Sequence, residues 1–112
     1  MLNFGFRYRS PQRDRENDQA RLAGILRAVR STVADAESEL NELRSRVEKA
    51  RQSAAMLLGN DMDDGARAGT HESELKRAEE RLLLGEKRMV ELRDHLATLQ
   101  RIENAVQFLI AN

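Results

Sequence analysis

Residues 22–57, LAGILRAVRSTVADAESELNELRSRVEKARQSAAML, carry the pattern that decides the fold. Their apolar residues advance by alternating steps of four and three: Leu22, Leu26, Val29, Val33, Ala36, Leu40, Leu43, Val47, Ala50, Ala54 and Leu57. A straight α-helix repeats every ~3.6 residues, so a seam held at ~3.5 over about five heptads implies gentle left-handed winding against a partner helix. An amphipathic helix of a compact bundle would show a wider stripe. The spacing therefore predicts a coiled-coil-like seam.

The seam ends at Leu58-Gly59-Asn60, and glycine and asparagine tolerate the left-handed conformation that often closes a helix. A polar stretch without periodicity follows, NDMDDGARAGT over residues 60–70. Thr70 is expected to cap a second helix, with Glu72 and Glu74 placing negative charge in its first turn. That helix has its own stripe: Leu75, Ala78, Leu82, Gly85, Met89, Leu92, Leu96 and Leu99. Past Leu99 the repeat is expected to break down, with Ile102, Val106, Leu109 and Ile110 spreading apolar surface more widely.

Folding back about the polar stretch pairs residues whose numbers sum to about 132. Leu57 then meets Leu75, Val47 meets Gly85, Leu43 meets Met89 and Leu26 meets Val106, so large side chains mostly face small or medium ones. On the flanks Arg51 would meet Glu79, Arg44 would meet Glu86, Glu37 would meet Arg93 and Glu39 would lie near His95. One clash remains, Arg46 facing Arg88. Exposed pairs add little energy, but they disfavour alignments that bring like charges together. The expected fold class is all-α, a long antiparallel helical hairpin that dimerises into a four-helix bundle. Its parts are an extended N-terminal arm over 1–10, a helix over 11–58, a loop over 59–70 and a helix over 71–111.

Composition agrees with long helices washed by solvent. Charged residues make up 34% of the 112, aromatics only 4%, and Pro11 is the single proline. The formal net charge is zero, so no global pull toward nucleic acid or membrane is expected. Cysteine is absent, which excludes disulfides, thiolate chemistry and cysteine zinc sites. The opening residues, MLNFGFRYRSPQ, lack the apolar run of a signal peptide, and no stretch approaches a membrane span. A cytoplasmic location is expected, without a membrane partner.

In the arm, Phe4, Phe6 and Tyr8 alternate with Arg7 and Arg9, which suits an extended segment. Ser10-Pro11 reads as a helix start, serine capping and proline in the first turn. The rings could pack on an apolar end formed by Leu22, Ile25 and Phe108, dock on another protein, or stack on a single strand of nucleic acid. Further partner-binding candidates are Leu83 and Val90 on the outer shoulder of the second helix, and Phe108 near its end. A basic patch is expected where Arg46, Lys49, Arg77, Arg81 and Arg88 share one flank.

The loop Asp61-Met62-Asp63-Asp64-Gly65 with Glu72 looks at first like a calcium loop. Alanine occupies the position where its sharp turn needs glycine, so a solvated acidic loop is the better reading. Glu91 and His95 stand four apart rather than at the Glu-x-x-His step of di-iron bundles. There is no phosphate-cradling glycine loop and no nucleophile elbow. No metal, no cofactor and no catalysis are expected. The functional expectation is a protein–protein interaction module: an adaptor, scaffold or small chaperone-like factor whose partners are a second copy and another protein. The alternative is a nucleic-acid-associated factor using the basic arm and the arginines near the loop.

Overall fold

The computed structural model describes residues 10–60 and 68–112, with side chains over 10–59 and 71–112. Helix α1 runs Pro11–Asn60 and helix α2 runs Ala68–Ala111, and no strand occurs among the described residues. The start of α1 follows the chemistry of its first residues. Ser10 Oγ accepts a hydrogen bond from the Arg13 amide at 3.1 Å, Pro11 occupies the first turn, and Asp14 adds negative charge there. The loop-facing ends differ from expectation. α1 continues through Gly59 to Asn60, and no glycine among the described residues has positive φ, so no left-handed glycine closes the helix at 59. α2 begins at Ala68, which puts Thr70 inside the first turn rather than before it. Phe4, Phe6 and Tyr8 of the arm, and the acidic loop from Asp61 to Gly65, lie outside the described residues.

The chain forms two compact units. The middle unit is Asp35–Leu96; the terminal unit joins the part of α1 up to Ala34 to Ala97–Asn112. Within the middle unit the helices pack antiparallel, since Glu39 reaches Arg88 while Arg51, further along α1, reaches back to Glu86. The terminal unit shows the same sense. Arg30 meets Glu103, and Ala20 and Ala23, earlier on α1, lie beside Ile110. The pairing in each unit is that of a helical hairpin.

Every seam position named from the sequence is buried or half-buried on both helices. Between Leu26 and Leu57 every other α1 residue is exposed, and the same holds on α2 between Leu75 and Leu99. The stripe is thus the narrow one that a heptad repeat demands. Its interior is thin: among the described residues the buried set is largely Ala and Val with Leu40, Leu92 and Leu96, and Leu92 is the one large side chain fully enclosed.

The stripe has two further features, one in the expected register and one outside it. Gly85 brings the helices of the middle unit close together: a Cβ added there would lie 2.5 Å from Val47 Cγ2. The stripe on α2 also does not dissolve past Leu99. It continues in the same rhythm through Glu103, Val106 and Ile110, leaving Ile102, Phe108 and Leu109 exposed. Glu103 is a carboxylate in an apolar row, its side chain 24% exposed, and Arg30 Nε holds it at 3.1 Å.

Candidate functional site

The middle unit has two flanks, and their charges are arranged differently. On one flank the signs alternate, with Arg44, Glu48, Arg51, Glu86 and Arg93 around a shallow recess. Arg51 binds Glu48 at 3.1 Å on its own helix and Glu86 at 3.4 Å across the seam. This differs from the expected pairing of Arg51 with Glu79, because an arginine side chain reaches along the groove as readily as straight across it.

On the opposite flank the signs are segregated. Lys49 and Arg81 share a recess with Arg46 and Ser53, and Arg77 joins Arg81 and Ser53 around the next recess along, beside Glu74. Arg46, Lys49, Arg77 and Arg81 of the expected basic patch are therefore brought together. Arg46 has Glu42 at 3.9 Å on its own helix, whereas Lys49, Arg77 and Arg81 have no carboxylate partner among the described residues.

Arg88, the fifth residue of that patch, differs from the other four in being held between two carboxylates. Its guanidinium forks onto Glu39 across the seam, Nε to Oε2 at 2.9 Å and Nη2 to Oε1 at 3.3 Å, while Nη1 reaches Glu91 at 3.4 Å. These hydrogen bonds, Glu39 first and then Glu91, hold Arg88 above its ordinary pKa. The expected clash of Arg46 with Arg88 does not form, because each turns to a different carboxylate.

No protein-family model, curated protein or solved structure matches this chain.

The apolar candidates are exposed. Leu83 and Val90 of the middle unit are 69% and 55% accessible, and Phe108 of the terminal unit is 68% accessible. Val90 borders the alternating flank beside Glu86, Met89 and Arg93. Among the described residues no group of three or more histidine, cysteine or acidic side chains is placed to hold a metal ion, and no helix is long and apolar enough to cross a membrane. His71 stands one four-residue step before Leu75, half-buried, with Nδ1 occluded and without a hydrogen-bond partner among the described residues.

Sequence reasoning missed the Glu39–Arg88–Glu91 clamp and the Arg30–Glu103 pair. The three-residue step from Arg88 to Glu91 signalled part of the first. The phase of Glu103, four residues past Leu99 and three before Val106, signalled the second.

Proposed function

We propose that this chain is a non-catalytic helical-hairpin interaction module, an adaptor, scaffold or small chaperone-like factor, acting as a two-fold dimer that forms a four-helix bundle. The observation that carries it is the imbalance between a thin interior and large exposed apolar side chains: Leu83, Leu84 and Val90 in the middle unit, Phe108 and Leu109 in the terminal unit. A narrow seam whose fully buried positions are mainly alanine and valine stabilises a small domain weakly, and a second hairpin would enlarge the buried core. Leu83 and Val90, seven residues apart on one stripe of α2, suit an amphipathic helix or groove of a partner protein, and Phe108 adds an aromatic anchor.

Two measurements test the reading. Sedimentation equilibrium at micromolar concentration is expected to return twice the chain mass; a monomer would overturn the dimer. A photo-crosslinking residue at position 83, 90 or 108 in the native cell is expected to trap one defined protein, while the same group at the exposed, charged position 80 traps none. Equal, diffuse labelling at all four positions would remove the apolar surface from the account.

A second reading, a nucleic-acid-associated factor, is favoured by Lys49, Arg77 and Arg81, which share adjoining recesses and have no carboxylate partner among the described residues. Binding of an oligonucleotide that falls steeply with salt would mark it.

A further inference from the structure

The segregated flank of the middle unit has a symmetry that its opposite lacks. Lys49 and Arg81, one from each helix, form a basic doublet around a single recess. Glu39 and Glu91, again one from each helix, form an acidic doublet drawn together by Arg88. Glu39 precedes Lys49 by ten residues on α1, and Arg81 precedes Glu91 by ten on α2. At ~1.5 Å per residue the two doublets stand ~15 Å apart along both helices. Because the helices are antiparallel, both displacements run the same way along the flank. The single charge of Arg88 leaves the acidic doublet net negative, and both carboxylate side chains remain about half exposed.

We infer that this flank is the dimer face and that its occupant is the same flank of a second copy, turned end for end. A two-fold axis across the flank midway between the doublets lays α1 over α1 and α2 over α2 in opposite directions. Lys49 and Arg81 of each copy then lie over Glu39 and Glu91 of the other. Arg46 lies over Glu42 of the other copy. Leu84, 69% exposed between the doublets, is covered by the aliphatic stem of the second copy's Arg88. No like charges meet. The alternating flank offers a poorer match, since Arg51, Glu48 and Glu86 already pair there within the chain. A polyanion fits less well, because half of the segregated flank is acidic and the chain is neutral overall. The inference rests on the dimer proposed above and specifies its face.

Charge exchange tests it. An acidic variant, Lys49→Glu with Arg81→Glu, and a basic variant, Glu39→Lys with Glu91→Lys, each place like charges opposite one another in their own homodimer. Each alone is expected to raise the dimer dissociation constant by at least about tenfold. Mixed in equal amounts they are expected to form a heterodimer as tight as the wild-type dimer, since both doublets again face opposites. Circular dichroism checks that each variant remains helical. Should the basic variant unfold for want of its Arg88 clamp, Lys49→Gln with Arg81→Gln leaves that clamp intact and is expected to weaken the dimer and flatten its salt dependence.

A wild-type monomer would overturn the dimer and this face together. A wild-type dimer whose variants dimerise unchanged would overturn only the face. Binding of heparin or an oligonucleotide that the acidic variant abolishes, with no recovery of dimer on mixing, would assign the cations to a polyanion instead.

Discussion

Gly85 is a point of close helix approach in the middle unit, and its value lies in what it lacks. Alanine is the better helix former by about 1 kcal/mol, yet its methyl group would sit 2.5 Å from Val47 Cγ2. The helices would have to part or Val47 leave its rotamer, an overpacking cost of roughly 1–3 kcal/mol. Gly85→Ala is therefore expected to lower the stability measured by urea denaturation. Gly85→Ala combined with Val47→Ala is expected to recover more than the two single losses predict, because the second change vacates the space the first needs. Gly59 is the control. An added Cβ there meets nothing within 4 Å, so Gly59→Ala is expected to stabilise by about 0.5–1 kcal/mol. Equal effects at the two glycines would refute the close approach.

At the scale of the element, the heptad rhythm of α2 passes through a charged residue. Glu103 occupies a seam position in the terminal unit, and Arg30 reaches it from α1 at 3.1 Å. A polar residue in such a row lowers stability while restricting which alignments are tolerated. Glu103→Leu is expected to raise stability by about 1 kcal/mol. Its companion effect is looser pairing, read as faster amide exchange in the part of α1 around Arg30 despite the higher melting temperature. A drop in melting temperature would mean that the Arg30 pair outweighs the burial it displaces. The same residue explains why the end of the stripe is hard to read. Counting apolar residues alone finds Ile102 and Leu109 and loses the phase, whereas accepting one carboxylate in the row keeps it.

For the whole molecule, the thin seam and the exposed apolar side chains motivate the proposal that association is part of stability. A chain that is completed by a second copy melts at a temperature that depends on its concentration. The melting temperature is expected to rise by several degrees between about 1 and 100 µM protein, and to fall as salt is added if the segregated flank is the contact. A concentration-independent melt would mean that each chain is sufficient alone.

The apolar stripe was legible from residues 22–57 and 75–99 without any coordinates, and so was the start of α1 at Ser10-Pro11. Both rest on short-range rules: which residues share a helix face depends only on spacing, and a serine caps the amides beside it. The opposition of Val47 and Gly85 also followed, because antiparallel stripes of equal rhythm leave few registers. Tertiary structure alone decided the partner of each long charged side chain. Arginine spans a full helical turn in either direction, and exposed pairs differ by less than about 1 kcal/mol, so no spacing rule selects Glu86 for Arg51 or Glu39 for Arg88. That choice separated Arg88 from the other cations and drew Glu39 and Glu91 together. The contrast between an alternating flank, where Arg51 holds Glu48 and Glu86, and a segregated one comes from packing, because it depends on which carboxylates are already taken.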